Sequence, residues 1–212
     1  MEYLPLFLGG LKATFFISIV SILLALATGI IACSARISSI KALKYPAIAY
    51  IEIIRSTPLL VQIYFLYFGL PTLGLKIPEL QTGILALTLN SGAYIAEIIR
   101  AGINAVEPGQ LEAGVASGLS YLQRMRFIIL PQALGVTVPP LLGQAIVLVK
   151  DSALLSLISV AELTRAGQTM TSERFMPSEA FLTVAFFYMC IYFVLKALAD
   201  WSQKRLIFRE AY

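Results

Sequence analysis

Four ionisable side chains stand where so apolar a chain has little reason to put them. Glu52, Glu97, Lys150 and Asp151 each lie inside or at the end of a helix-length hydrophobic run. A charge at the centre of such a run costs some ~2.5–3.5 kcal/mol on insertion scales. Their types and spacing do not build an enzyme. The chain has no histidine, so the commonest general base and metal ligand is missing. Cys33 and Cys190 stand alone in apolar runs and read as small buried hydrophobes, with no redox pair or metal cluster to be built from them. Residues 9–14 (Gly-Gly-Leu-Lys-Ala-Thr) have the residue types of a phosphate-binding loop but not its spacing, and they precede an apolar helix instead of following a strand. What remains for buried charges is passage, as side chains lining a solute path through a helical bundle.

Other polar groups fit that reading. Asn90, Ser91 and Gly92 interrupt one apolar run, Ser152 follows Lys150-Asp151 in another, and Glu162 lies just beyond. Each has a plainer alternative. Lys150 and Asp151 neutralise one another, Glu162 is a solvated loop acid, and Glu52 with Arg55 and Glu97 with Arg100 are local i,i+3 ion pairs.

The elements that position these groups follow from composition. Of 212 residues, 58% are hydrophobic and 13% charged, where a soluble domain carries roughly 25% charged. The mean hydropathy is +0.83. The chain reads as an all-α integral membrane protein, because helix-length apolar runs exclude a barrel. Five spans are expected, at about 13–35, 47–70, 80–99, 133–160 and 180–198. The first is read as uncleaved, since no basic cluster leads it and its apolar run continues past Ala25-Leu26-Ala27. Pro139-Pro140, with the small residues Ser152 and Ala153, predicts an irregular or broken fourth span, whose helix ends would hold charged solute groups.

Between the third and fourth spans lies the one long polar-flecked stretch, 107–131. It reads as a helical hairpin, with Gly118 at the turn and Ser120 with Gln123 as a capping box. It holds only Arg124 and Arg126, too few basic residues for a helix lying on a membrane surface. Small residues dominate its first half and suit packing into a protein groove. With the amino terminus outside, nine lysines and arginines (residues 36, 41, 44, 100, 124, 126, 204, 205 and 209) fall on the cytoplasmic side, against four outside (residues 12, 76, 165 and 174). The positive-inside rule thus places the hairpin and the carboxyl terminus in the cytoplasm.

The hairpin resembles the EAA loop of ABC importer permeases. Glu112-Ala113, Gly118 six positions after the glutamate, then Ile128, Leu130 and Pro131 agree in spacing, and Gly114 stands where a second alanine is usual. That glycine should cost ~1 kcal/mol of helix stability and leave the site flexible. Arg55-Ser56-Thr57-Pro58-Leu59-Leu60-Val61-Gln62 and residues 92–103 are similar to span signatures of the polar amino acid branch. Ser56 replaces a more usual glycine. Lys150-Asp151-Ser152-Ala153-Leu154 is similar to that branch's Lys-Asp-Thr-Ser-Leu block.

The resemblance covers nearly the whole chain. It implies a permease subunit for polar, possibly basic, amino acids in a prokaryotic inner membrane, paired with a second identical or homologous permease. Two separate ATPase subunits, which bind the ATP and Mg, would dock on Glu112, Ala113, Gly114, Gly118, Ile128, Leu130 and Pro131. An external solute-binding protein would deliver the amino acid. The chain itself would be no enzyme, bind no cofactor or metal, contact membrane lipid and bind no nucleic acid. Solute contacts are expected at Glu52, Asn90, Asp151 and Glu162, supported by Ser56, Thr57 and Ser152. The alternative is a stand-alone secondary transporter or channel, which predicts inverted repeats or more spans and has no use for the hairpin.

Overall fold

Proline and glycine placement accounts for most of the helix boundaries. The computed structural model describes residues 3–210, with side chains through residue 203, so the basic residues Lys204, Arg205 and Arg209 lie outside the described side chains. Helix α1 (Leu4–Ile37) opens with a proline in its first turn, where a missing N–H is harmless, and runs 34 residues. Next come α2 (Lys41–Ser56), α3 (Leu59–Tyr64), a wide π turn (Phe65–Gly69) and the short α4 (Leu70–Thr72). Helix α5 (Glu79–Asn104) is followed by α6 (Pro108–Ala116), α7 (Tyr121–Arg124), a second π turn (Met125–Ile129) and α8 (Leu130–Asp151). A 3₁₀ segment (Ser152–Ile158), α9 (Leu163–Arg174) and α10 (Pro177–Glu210) complete the order. Among the described residues, four helical stretches are long and apolar enough to cross a membrane, and the α2–α4 unit makes a fifth if its bent halves count as one.

That unit lies over the span expected at 47–70 and is sharply bent. Its two halves meet at 109°. Pro58 lacks an N–H and pushes Thr57 into extended backbone (φ −116°, ψ 143°), so α2 stops at Ser56. The fourth span is irregular at Ser152 and not at its prolines. α8 continues through Pro139 and Pro140, and the change of helix type comes later, at Ser152, ending at Ser159 with φ 67°.

α5 is the central post. It packs against α1, α2, α3 and α8, and its small residues Gly83, Ala86, Gly92, Ala93 and Ala96 are buried. The approach of α1 is closest at Gly29, where a Cβ would sit 2.4 Å from Ile95 Cγ2 and 3.0 Å from the Gly92 carbonyl oxygen. Overpacking of this kind costs ~1–3 kcal/mol. Gly29→Ala should therefore lower the melting temperature of the detergent-solubilised protein despite alanine's better helix propensity. An unchanged or higher value would mean that α1 and α5 are not held this close.

Candidate solute path and coupling hairpin

The bend in α2–α4 frees the last carbonyls of α2, and the side chains around it absorb them. The Ser56 and Thr57 hydroxyls donate to the Ile53 carbonyl at 3.1 and 2.9 Å. Gln62, one turn into α3, swings back so that its amide nitrogen donates to the carbonyls of Ile54 (2.8 Å) and Thr57 (3.0 Å). The amide oxygen of Gln62 accepts from Asn90 Nδ2 at 3.1 Å, carrying the network onto buried α5. A cavity of about 390 Å³ opens beside it, lined by Ile53, Val61, Phe65, Ala86, Thr57 and Gln62 and almost wholly apolar in surface. Concave, mostly apolar space is the usual setting of a small-molecule site. Thr57 and Asn90 are thus joined through Gln62, a residue that spacing alone did not single out. It lies eight positions past Ile54 and meets it only because the helix breaks between them.

The charges converge elsewhere, at the hairpin end of the bundle. Arg100 grips Glu97 with two hydrogen bonds, Nε to Oε1 at 3.0 Å and Nη2 to Oε2 at 2.8 Å. Arg36, from the end of α1, reaches Glu97 Oε1 at 3.1 Å, and Arg55 reaches Oε2 at 3.6 Å while lying over the Tyr94 ring. Glu52 pairs with Arg36 at 3.2 Å instead of with Arg55, so the second expected i,i+3 pair does not form. Tertiary neighbours outbid the local partner. Three guanidinium groups face two carboxylates, and Glu52 is 61% exposed at the edge of the cluster. The group carries a net positive charge, so it does not offer a cationic solute an acidic seat.

Glu162 is not a loop acid either. It is fully buried as the N-cap of α9, where its carboxylate accepts from the Thr164 and Arg165 amides, both at 2.8 Å, and from Tyr188 Oη at 2.9 Å. Burial pushes its carboxyl above the ordinary glutamate range, and these hydrogen bonds pull it part of the way back. A Cβ at Gly10 would meet the Leu163 Cα at 2.9 Å, and Thr14 Oγ1 accepts from the Leu163 amide at 3.2 Å. Glu162 therefore ties α1, α9 and α10 together, and every bond it makes is internal. Ser152 is likewise buried, its hydroxyl donating to the Val149 carbonyl at 2.7 Å. Asp151 is half-buried, with no cation within 4 Å among the described residues. Its neighbour Lys150 points instead to the Tyr192 ring, 6.0 Å away.

The hairpin is built as its sequence signals suggest. α6 closes on Gly118 at φ +74°, with the Gly118 amide donating to Val115 and the Leu119 amide to Gly114, the paired bonds of a Schellman turn. Ser120 and Gln123 then form a complete capping box. Gly114 is buried, and a Cβ there would sit 2.7 Å from Ile128 Cδ1. Its small size serves close packing of the two arms, which replaces the flexibility expected of it. Gln132 donates to the Gln110 amide oxygen, bracing α6 against α8. On the outside, Glu112, Ala113, Val115, Tyr121 and Leu122 stand exposed, Leu122 at 76%. Ile128 is half-buried against Gly114, while Leu130 and Pro131 are exposed in the first turn of α8.

Residues 22–208 match the family described as binding-protein-dependent transport system inner membrane component. The glutamine transport system permease protein GlnP of Escherichia coli (strain K12) is 38% identical over 205 residues, covering 96% of this chain and 94% of the relative. The arginine transport system permease protein ArtQ of Bacillus subtilis (strain 168) is 34% identical over 204 residues, covering 96% and 93%. Among solved structures, an amino acid ABC transporter crystallised with histidines is 39% identical, with a TM-score of 0.93 over 96% of this chain and 95% of that one.

Proposed function

This chain belongs to the binding-protein-dependent transport system inner membrane component family, and from that premise we propose that it moves a polar amino acid inward beneath the α2–α3 bend. It is a membrane permease subunit that carries no ATPase of its own, and its place is the inner membrane. The observation that carries the solute reading is the Thr57–Gln62–Asn90 network beside an amino-acid-sized cavity, in a chain whose full-length relatives carry glutamine and arginine. The positive cluster around Glu97 gives no preference for a basic solute, so polar zwitterions are the proposed class.

The energy comes from outside the chain. Two ATPase subunits holding ATP and Mg seat the α6–α7 hairpins in their grooves, with the hairpin and carboxyl terminus cytoplasmic and the amino terminus outside. A second permease chain completes the path, and a solute-binding protein delivers the amino acid from outside. Closure of the ATPase pair moves each hairpin as a rigid body, and the attached helices shift the population between outward and inward states.

Reconstitution of the permease with its ATPase and binding protein in liposomes tests this. Labelled glutamine should accumulate only with ATP inside, and arginine should accumulate less. Gln62→Leu should raise the half-saturating solute concentration about tenfold, the loss of one buried hydrogen-bonding group, without changing ATPase co-purification. Accumulation driven by an ion gradient without ATP would favour the secondary-transporter reading, and an unchanged half-saturation would remove Gln62 from the site.

A further inference from the structure

A second, larger cavity lies away from the bend. It is a groove of about 930 Å³ between the second half of α1 and the first half of α8, floored by α5. Leu26, Ile30, Leu134 and Leu141 make its apolar walls, and no charged residue lines it. At the hairpin end its lining changes to Ser34, Ser38, Ser39 and Tyr121. Lys41 and Lys44 follow directly on the α1–α2 connection. Both are exposed and neither has a carboxylate within 4 Å among the described residues. α2 also begins there with no side-chain cap and no acidic residue in its first turn. An apolar trough along two membrane-crossing helices, ending in hydroxyls with two exposed lysines just past Ser39 in the chain, matches the chemistry of one occupant. We propose that it holds an anionic phospholipid, with an acyl chain against Ile30 and Leu134 and its phosphate at Ser38, Ser39, Lys41 and Lys44.

Charge complementarity decides against a protein helix in the groove, which would have to bring its own acids to this rim. Basic residues at a membrane surface draw anionic headgroups without such design. Tyr121 and Met125, on the second arm of the hairpin, line the same groove as Ile37 of α1 and Ser38 just beyond it. A bound lipid would therefore fill the space between the hairpin and α1, and membrane composition would bear on the stiffness of the coupling element. The inference rests on the groove and its rim and does not depend on which solute is carried.

The test uses the intact complex extracted from membranes. Native mass spectrometry should find phosphatidylglycerol retained on the permease, and nanodiscs of phosphatidylcholine with rising phosphatidylglycerol should show preferential uptake of the anionic lipid. Ser34 is exposed within the groove, so Ser34→Trp fills the space without entering the core and should expel the retained lipid. Lys41→Gln with Lys44→Gln should keep the groove but reduce the preference for phosphatidylglycerol about tenfold or more. Equal lipid retention in Ser34→Trp, or an undiminished preference in the lysine variant, would overturn the proposal. Cross-linking of Ser34→Cys to another protein subunit in membranes would overturn it as well, by showing a polypeptide in the groove.

Discussion

Glu97→Gln should destabilise the permease more than any other conservative change among its charged residues. Removing this one carboxylate charge leaves Arg36, Arg55 and Arg100 facing each other, with only the peripheral Glu52 to offset them. Loss of one partner from a buried ion pair costs ~3–5 kcal/mol. The Glu97 side chain is 14% exposed and its arginines 19–36%, so solvent screening brings the expectation down to ~2–4 kcal/mol. Glu52→Gln is the internal comparison. Its carboxylate is mostly in solvent, and an exposed pair contributes only ~0–1 kcal/mol. Thermal unfolding in detergent should rank the two variants clearly. Equal melting temperatures would mean that α1, α2 and α5 are held by packing alone and that the cluster is incidental.

The second large effect belongs to the hairpin turn. Gly118 sits at φ +74°, where a β-branched residue is strained by ~1–3 kcal/mol. Gly118→Val should open the Schellman turn and change the angle between α6 and α7. Co-purification of the ATPase should then be lost, and transport should fall by ~100-fold or more, as a misplacement remote from the chemistry can cause. Nothing lies within 4 Å of a Cβ at this position, so the effect comes from backbone strain and not from a clash inside the chain. Gly118→Asn, which tolerates the left-handed region, should retain most ATPase binding. Glu112→Lys leaves the turn intact and reverses the charge of an exposed side chain, so its loss of docking would locate the fault in the contact surface. Full coupling in Gly118→Val would refute the docking role.

How much of this was legible beforehand depended on how local the cause was. Gly118 and the Ser120–Gln123 box act over a few residues, and the structure forms both as spacing predicts. Glu97 and Arg100, three apart on one helix, also pair as expected. Glu52 and Arg55 have the same spacing but part company, because Arg36 of α1 and Glu97 of α5 arrive with better geometry. Pro58 was visible as part of a motif, yet hydropathy averaged across it concealed a 109° bend. Of the residues that pointed to an irregular fourth span, Pro139 and Pro140 are accepted by the helix, while Ser152 is where its type changes. Glu162 was the hardest to read. Its burial is created by α1 and α10, distant in sequence, and no local pattern reports that.

The two wide turns carry one last implication, about phase. Between α7 and α8 the ladder opens for one turn, with the Leu130 amide reaching back five residues to Met125. An ordinary helix advances 100° per residue, so one residue accommodated in a wide turn resets which way everything before it faces. The same length of regular helix would present the docking face of α6–α7 at a different azimuth around α8. On the proposed docking, the direction in which force enters the bundle would be set by a single loosened turn, and the matching turn at Phe65–Gly69 gives the bent span beside the candidate solute cavity its own offset.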